Sequence, residues 1–267
     1  MTELKVMTLN IHNSLRSASF DRRIRSISAM AAFHDPDLIG VQELTDDMIN
    51  KLPEMSETYA FFGKRRGSSR QTDERCCILY RKTRFRFISG GTFWLSDTPE
   101  EAGSRYAGSM FPRIVTLAEL EDLETGSHFT FANTHLDHLF PPVRTKQAEV
   151  LRNILKEKRT GDFLILTGDF NCSFPAEAVR LLTADEDLAL KDTAPDDGRS
   201  TIRNFIQAGA SHYRPIDHIL ISRNLTAVKS EIISGLYMGV YPSDHCPVLT
   251  FIETESHNAE PAADSAE

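Results

Sequence analysis

Short stretches with the character of β-strands recur along the whole chain, and they constrain the fold more than any other feature. Several alternate between apolar and polar residues, which is the pattern of a sheet with one covered face. Nine stretches are predicted strands: LKVMTLNI (4–11), DLIGVQEL (37–44), CCILYR (76–81), FRFISGGTFWL (85–95), RIVTLAEL (113–120), HFTFANTHL (128–136), DFLILTGDF (162–170), PIDHILIS (215–222) and CPVLTFIE (246–253).

Helical patterns separate these strands at only a few places. Residues 21–34 and 143–158 carry apolar side chains at helical spacing, and PAEAVRLL (175–182) begins with a proline suited to a first helical turn. Many strands with few helices predict an α/β fold of two packed sheets with helices on the outer faces. At 267 residues and 40% hydrophobic content, the chain can form one large domain, which we expect to span residues 1–253.

The net charge of −8 is concentrated at the C terminus. Residues 253–267 contain five acidic residues and no basic one, so we expect residues 254–267 to be a disordered acidic tail. The rest of the chain has 33 acidic and 30 basic residues. This near balance does not favour non-specific nucleic-acid binding, which depends on many contacts between basic residues and phosphates, although it permits a local basic cleft.

The sequence contains no apolar run of about eighteen residues, so we expect no stable membrane insertion. Its start, MTELKVMTLNIHN, lacks the basic and apolar segments of a secretory signal. The four cysteines, Cys76, Cys77, Cys172 and Cys246, suggest neither a disulfide framework nor a CxxC zinc pattern. We therefore expect a reduced, cytoplasmic protein, and the sequence indicates no protein partner.

Polar side chains occur where most of the predicted strands end or begin. They are Asn10, Glu43, Asn133, His135, Asp137, His138, Asp169, Asn171, Asp217, Asp244 and His245. Strand ends in packed α/β sheets are where ligands are held, because loops there present polar groups from several strands at once. These side chains are therefore expected to belong to one site.

The residue types at these strand ends indicate which chemistry the site supports. Carboxylates and amides are hard oxygen ligands that suit Mg²⁺ or Mn²⁺ better than zinc. Because Mg²⁺ takes only one or two protein carboxylates together with a substrate phosphate, Glu43, Asp244 and Asn10 would satisfy its needs. The histidines remain for proton transfer and for stabilising charge at phosphorus, and Asp217 is placed to orient the imidazole of His245.

Two of these motifs also have simpler interpretations. The Asp-Asn pair of GDFN (168–171) on its own is equally typical of an Asx turn that caps the following helix. His135 and His138 form an HxxH pattern that suggests zinc. No thiolate or third histidine is spaced nearby, and the surrounding candidates are rich in oxygen, so zinc is the less favoured metal.

The order of the motifs resembles that of the endonuclease/exonuclease/phosphatase superfamily, the deoxyribonuclease-like metal-dependent phosphoesterases. The matching pieces, which lie between residues 4 and 252, are TLNIHN, PDLIGVQE, NTHLDH, LTGDFN, IDHILIS and SDHCPV. FWLSDTPEEAGS, with Arg113 following it, is similar to a bacterial branch. The resemblance implies a four-layer α/β sandwich with two central mixed sheets, and Mg²⁺- or Mn²⁺-dependent hydrolysis of a phosphodiester or phosphomonoester.

The resemblance also implies a role for each matching residue. Glu43 is the main expected metal ligand, with Asn10 and Asp244 in the metal shell. Asp169 is expected to activate the attacking water and Asn171 to position it. His245 and Asp217 form an expected catalytic pair that binds the phosphate or acts as base. His135 is expected to be catalytic on the other side of the scissile phosphate. Glu74 matches a carboxylate that supports this last histidine, and the expected substrate contacts are Arg113, His138 and Arg144.

The sequence departs from the family pattern at two places near the expected substrate. After NTHLDH it continues as LFPPVRTKQAEVL, where the branch has a glycine and an Ala-Arg pair, and Pro215 separates Arg214 from the isoleucine that it commonly precedes. Both departures affect substrate contacts and leave the metal centre intact. The substrate therefore stays open among nucleic acids, phospholipid or inositol head groups, sugar phosphates and nucleotide cofactors. A binding module without catalysis would lack one of the acids or histidines, and all are present.

Overall fold

The computed structural model describes residues 2–13, 20–67, 73–195, 198–203 and 214–254. The strands are β1 (Thr2–Asn10), β2 (Leu38–Leu44), β3 (Tyr59–Phe62), β4 (Arg75–Arg81), β5 (Phe85–Trp94), β6 (Ile114–Asp122), β7 (His128–His135), β8 (Phe163–Asp169), β9 (Leu190–Asp192), β10 (Asp217–Ser222), β11 (Thr226–Ile232) and β12 (Val248–Thr254). The helices are α1 (Phe20–His34), α2 (Asp46–Ile49), α3 (Pro53–Thr58), α4 (Pro141–Lys158) and α5 (Glu177–Thr183).

The strands form two six-stranded sheets. The first sheet has the order β11-β12-β1-β2-β4-β3, and the second has the order β5-β6-β7-β8-β10-β9. In each sheet one central pair, β1 with β2 and β7 with β8, runs parallel, while the other pairs are antiparallel. Both sheets are therefore mixed, as predicted.

The alternation of side chains along each strand creates the four layers. In β1, Leu4 and Val6 pack into the core between the sheets, whereas Met7 packs into the outer core beneath α1. In β8, Ile165 belongs to the same central core and Leu166 to the outer core beneath α4 and α5. Successive residues of a strand point to opposite faces, so each sheet covers one core on either side. The predicted α/β sandwich with helices on its outer faces is confirmed.

All nine predicted strands are present, with ends shifted by a few residues, but three further strands were not predicted. β3 and β9 contain only four and three residues, too few to show a period. β11 is an edge strand whose side chains are mostly exposed or half-buried, so TAVKSEI has no covered face to impose alternation. The short helices α2 and α3 were also not predicted.

Two predicted boundaries were wrong. Pro175 lies outside α5, because Ala176 is extended at φ −55° and ψ 148° and the helix starts only at Glu177. Thr254 was assigned to the tail, but it is the last residue of β12, where its hydroxyl donates to the carbonyl of Thr2 at 3.1 Å. The rest of the expected acidic tail, residues 255–267, lies outside the described residues. In the described part of the chain, no helix combines the length and apolarity that crossing a bilayer requires.

The space between the sheets changes from apolar to polar towards one end. Beyond Val6 and Ile165, the next inward-facing residues are Thr8 on β1 and Thr167 on β8, both fully buried. Here Gln42 of the first sheet donates from Nε2 to Oδ1 of Asn133 in the second, at 2.6 Å. A belt of uncharged polar groups thus separates the apolar core from the end of the sandwich.

Gly40 is where the two sheets approach most tightly around this belt. A Cβ atom added to Gly40 would lie 1.9 Å from Oγ1 of Thr167 and 2.8 Å from Oδ1 of Asn133. Both side chains are buried and hydrogen-bonded, so neither can swing away without losing its partners. The position therefore requires glycine for space.

We expect Gly40→Ala to lower the free energy of unfolding by about 2 kcal/mol or more, because overpacked cores typically cost about 1–3 kcal/mol. Denaturant unfolding followed by tryptophan fluorescence measures the change. Gly235→Ala is the matched control, since the nearest atom to its added Cβ is 3.7 Å away. Equal stability of Gly40→Ala and the wild-type protein would contradict this close packing.

Candidate active site

The register of the second sheet brings three of the expected site residues side by side. His135 of β7 pairs with Asp169 of β8, and Asp169 pairs on its other side with Asp217 of β10. All three are buried, and they face the gap between the sheets just beyond the polar belt. Nε2 of His135 lies 3.5 Å from Oδ2 of Asp169. Strand pairing alone therefore builds half of the site.

The first sheet contributes Asn10 and Glu43 to the same end of the sandwich. Asn10 ends β1, and its Nδ2 donates to Oε1 of Glu43 and to Oδ2 of Asp169, both at 3.0 Å. Glu43 has a left-handed φ of 61°, and the pairing of β2 with β4 shifts register between Val41 and Leu44. This irregularity interrupts the alternation of β2, so Glu43 turns towards Asn10 instead of continuing the regular pleat.

The segment before β12 completes the cluster with His245. Its Nδ1 donates to Oδ2 of Asp217 at 2.9 Å, and its Nε2 lies 3.9 Å from Oδ2 of Asp169. Ser243 holds this segment on β1 through a 2.6 Å hydrogen bond from its hydroxyl to the carbonyl of Asn10. The predicted orientation of the His245 imidazole by Asp217 is present in the geometry.

The electrostatics of the cluster separate its groups into different charge states. Burial and the neighbouring carboxylate of Asp217 raise the pKa of Asp169 to about 6. Burial opposes a charge on His245, but Asp217 and Asp169 outweigh it and raise its pKa to about 10. Burial, with Arg113 and Arg66 nearby, lowers the pKa of His135 well below its usual value. The site thus has the charged imidazole of His245 on one side of Asp169 and the neutral imidazole of His135 on the other.

The carboxylates of the cluster fit a hard divalent cation. Asp169, Asp217 and His245 place one polar atom each within 4.8 Å of one another, and because His245 is an imidazolium the two carboxylates are the metal donors of this group. Close beside them, Glu43 adds a carboxylate and Asn10 an amide, so oxygen atoms outnumber nitrogen atoms. Carboxylates this close to one another favour an added cation, and no described cysteine belongs to the cluster.

Asp244 lies further out than the other expected metal ligands. Its side chain is 40% exposed, and its Oδ1 is 3.4 Å from Nδ1 of His12. Arg23 of α1 holds the surrounding loops together, because its guanidinium donates to the carbonyls of His12 at 2.8 Å and Pro242 at 3.3 Å. The structure places Asp244 at the rim of the cluster, next to the loop that follows β1.

Asn171 combines a structural role with a place in the site. It has a left-handed φ of 52°, which asparagine tolerates better than most residues, and its backbone N–H donates to Oδ1 of Asp169 at 2.8 Å. This contact is the Asx turn considered from the sequence, but it closes the end of β8 rather than capping α5. Nδ2 of Asn171 donates to the carbonyl of Leu136 at 3.1 Å, which fixes the side chain beside His135.

Arg113 is a buried guanidinium that lacks a full set of acceptors. It is 4% exposed, and its Nε and Nη1 have no hydrogen-bond partner among the described residues. Its Nη2 is 3.1 Å from Nδ1 of His138. Because a guanidinium can only donate, Nδ1 of His138 is the acceptor and the proton of this neutral ring is on Nε2. Two buried donors of Arg113 thus remain for an anion or water.

The loop after β7 is fixed by Asp137, a fully buried carboxylate. Its Oδ1 accepts from the N–H groups of Leu139 and Phe140, both at 2.9 Å, and its Oδ2 accepts from the Ser109 hydroxyl at 2.9 Å. Arg144 donates to the carbonyl of Asp137 at 3.1 Å. Arg144, in the first turn of α4 after the two prolines, thus contacts the loop after β7.

Glu74 and His135 line one small cavity, but the polar contacts of Glu74 are with other residues. Glu74 forms an ion pair with Arg66 at 2.7 Å and accepts a hydrogen bond from Asn13 at 3.3 Å, whereas no hydrogen bond joins it to His135. The backbone N–H of Asn13 donates to Oε2 of Glu43 at 2.8 Å. Glu74 therefore supports the loop that holds the expected metal ligand.

Sequence reasoning did not single out Asn13, Arg66, Ser109 or Arg23 as parts of the site. Asn13 follows TLNIH directly, so its proximity to the end of β1 was a usable signal. Arg66 and Ser109 come from polar loops, and the partners of Arg23 are backbone carbonyls. These contacts depend on loop conformation, which residue types alone do not specify.

Comparisons with known proteins agree with this geometry. A model of the Endonuclease/Exonuclease/phosphatase family matches residues 7–245. Among solved structures, an endonuclease/exonuclease/phosphatase from Bacteroides vulgatus is 26% identical, with a TM-score of 0.84 over 96% of this chain and 100% of the other. A mannosyl-6-phosphatase from Bacteroides thetaiotaomicron is 28% identical, with a TM-score of 0.81 over 94% and 100%.

TDP2 from D. rerio, in complex with a single-strand DNA product, shares the fold at 20% identity, with a TM-score of 0.74 over 95% of this chain and 100% of the other. No significant match was found among curated proteins. The family model covers most of the chain, and the motifs that it spans form one cluster between two mixed sheets. The chain is therefore a member of the Endonuclease/Exonuclease/phosphatase family.

Proposed function

We propose that this protein is a Mg²⁺- or Mn²⁺-dependent phosphoesterase in which Asp169 activates water for in-line attack on phosphorus. The observation that carries the proposal is the position of Asp169 between His135 and Asp217, with Asn10 bridging it to Glu43. Carboxylates, a neutral imidazole and a charged imidazole meet there at the end of a polar belt. Metal-assisted phosphoester hydrolysis uses such carboxylates to hold the metal and to activate water, and such imidazoles to stabilise charge on the phosphate.

Asp169 is suited to accept a proton from water. Its pKa of about 6 lies near neutral pH, where a general base combines sufficient ionised fraction with sufficient basicity. Asn10 and the N–H of Asn171 hold the carboxylate in place. Nδ2 of Asn171 is engaged by Leu136, so the amide oxygen is the atom that faces the attacking water.

The two histidines act on the phosphate in different ways. Asp217 accepts from Nδ1 of His245, which leaves the Nε2–H of this imidazolium to donate to a phosphate oxygen. The gap of 3.9 Å between Nε2 and Asp169 leaves room for an atom that bridges them. His135 is neutral and stabilises an equatorial oxygen from the other side, without adding charge next to Arg113.

Glu43, Asn10 and Asp244 would hold the divalent cation at the first-sheet side of the cluster, with Asn13 orienting Glu43. When bound, the cation polarises a phosphate oxygen and stabilises the leaving oxygen. Arg113 and His138 would bind the substrate phosphate, because the guanidinium has buried donors without acceptors and the imidazole presents Nε2–H. Arg144 would add a contact from α4.

Asp169→Asn is expected to lower kcat about 100-fold to 10,000-fold, because an amide cannot accept the proton that a general base removes. EDTA is expected to abolish the activity of the wild-type protein, and added Mg²⁺ or Mn²⁺ to restore it. Steady-state kinetics with a generic phosphodiester and a phosphomonoester measure both effects. Asp97→Asn, at an exposed loop position, is the control. Full activity of Asp169→Asn, or activity that is indifferent to EDTA, would overturn the mechanism.

The same assay selects the substrate class if it includes sugar phosphates, inositol phosphates, nucleotide cofactors and single-stranded DNA. Sugar phosphates are the substrate class to test first, since a mannosyl-6-phosphatase is among the similar structures. Endonuclease or exonuclease activity is the alternative. It predicts that DNA binding falls steeply as salt is added, because released counterions drive such binding.

Arg113→Met is expected to raise KM about tenfold or more, because a charged hydrogen bond to phosphate contributes about 1.5–3 kcal/mol. Its free energy of unfolding should stay the same or rise, since the substitution removes a buried charge with two unpaired donors. Initial-rate kinetics and denaturant unfolding measure the two effects. Arg86→Met, at an exposed position of β5, is the control. A marked loss of stability with unchanged KM would show that Arg113 is structural.

A further inference from the structure

A cavity of about 460 Å³ lies on the outer face of the second sheet, away from the gap that holds the proposed catalytic residues. Its lining comes from the end of α5, from β9, and from the segments that flank β10. Cavities of about 300–1,000 Å³ accommodate small-molecule ligands. The size is thus sufficient for a ligand of about nucleotide dimensions.

Strand alternation separates this cavity from the catalytic cluster. Asp217 and His218 are adjacent in β10 and therefore point to opposite faces of the sheet. Asp217 faces the gap with Ile219, whereas His218 faces the outer layer with Leu220 and lines the cavity. A ligand in the cavity thus occupies a different side of the sheet from the phosphate bound beside Asp169.

The cavity carries an excess of positive charge. Lys191 and Arg223 line it, and Asp192 is the only acidic residue among the lining residues that the structure describes. Lys191 lies 3.5 Å from the carbonyl of Arg223, and Arg223 donates to the carbonyl of Thr183 at 2.9 Å. Both contacts are with neutral carbonyls, and among the described residues no carboxylate forms an ion pair with Lys191 or Arg223, so the cavity favours an anion.

Asp192 does not neutralise these cations, because it is paired with His218. Nδ1 of His218 is 2.7 Å from Oδ2 of Asp192, and Nε2 is 2.9 Å from the carbonyl of Cys172. A carbonyl only accepts, so Nε2 carries a proton, and a proton on Nδ1 as well makes the ring an imidazolium. The wall of the cavity therefore contains an internally balanced ion pair.

The remaining lining is mainly apolar. Phe174 is 46% exposed although it is a large aromatic residue, and the half-buried Ala194 and Pro195 add apolar surface, while Leu190 and Pro215 are buried beneath it. Exposed aromatic side chains beside a cavity provide a surface for an apolar or flat ligand group. Cationic and apolar surface together match a ligand that has both kinds of group.

We propose that this cavity is a second ligand site, which binds an organic anion of about nucleotide size with an apolar part. Lys191 and Arg223 bind the anionic group, and Phe174 and Pro195 contact the apolar part. The site needs neither the divalent cation nor Glu43, so it is independent of the proposed phosphoesterase activity.

Isothermal titration with adenosine 5′-monophosphate in the presence of EDTA tests the site. We expect one equivalent to bind the wild-type protein, and at least tenfold weaker binding of adenosine, which lacks the charge, and of ribose 5-phosphate, which lacks the base. Lys191→Met should weaken binding of the nucleotide at least tenfold by removing a cation. Ala194→Phe should abolish it by filling the cavity without changing the charge.

Two further variants show where the nucleotide binds. Lys229→Met, on the edge strand β11 of the first sheet, is the charge-matched control and should bind as the wild-type protein does. Glu43→Gln alters the catalytic cluster and should also leave binding unchanged. Absence of nucleotide binding, loss of binding in Glu43→Gln, or wild-type binding by both Lys191→Met and Ala194→Phe would overturn the proposal. Melting temperatures of all variants verify that they are folded.

Discussion

The hydrogen bonds of Asn133 across the sandwich are the interaction on which the rest of the structure depends. From the second sheet, its Nδ2 donates to the carbonyls of Val41 and Cys77 on two strands of the first, both at 2.9 Å, while its Oδ1 accepts from Gln42. A buried amide with unsatisfied groups costs about 1–3 kcal/mol, so the two sheets have one favourable register at this level. Gly40 lets them approach closely enough to form it.

This fixed register determines where the proposed catalytic residues meet. Asn10 lies two residues beyond Thr8, and His135 and Asp169 lie two residues beyond Asn133 and Thr167, so all continue on the same inward faces. The gap between the sheets therefore passes from apolar side chains, through neutral amides and hydroxyls, to charged groups within a few residues. The neutral belt places hydrogen-bonded amides and hydroxyls between the charged cluster and the apolar core, although Oε1 of Gln42 has no hydrogen-bond partner among the described residues.

The cluster itself contains features that stability alone does not favour. Glu43 adopts a left-handed conformation, Asp169 is a buried carboxylate beside Asp217, and Arg113 has buried donors without acceptors. Each costs free energy in the absence of a ligand. A divalent cation and a phosphate would offset these costs together, since the cation suits the carboxylates and the phosphate suits the guanidinium. Their concentration at one end of the sandwich supports a site shaped for those two partners.

Much of the fold could be predicted because buried strands have a readable period. The long strands β7 and β8 were found from their apolar pattern, whereas β11 was missed because an exposed edge strand has no such pattern. Motif order similarly identified Asp169, His245 and Asp217, since each follows or opens a buried strand. The contacts of Glu74 were not predictable, because Arg66 and Asn13 reach it from loops whose conformation depends on their surroundings.

The sequence by itself determined the two-sheet architecture, the family and the residue types of the site, because strand periodicity and short motifs are local properties. Only the tertiary structure decided that the irregularity at Glu43 turns its carboxylate towards Asn10, and that the outer face of β10, where His218 lies, borders a cavity. It also brought Lys191 of β9 and Arg223, in the turn after β10, to one cavity. These outcomes depend on strand pairing and packing between residues far apart in the chain, which no local pattern encodes.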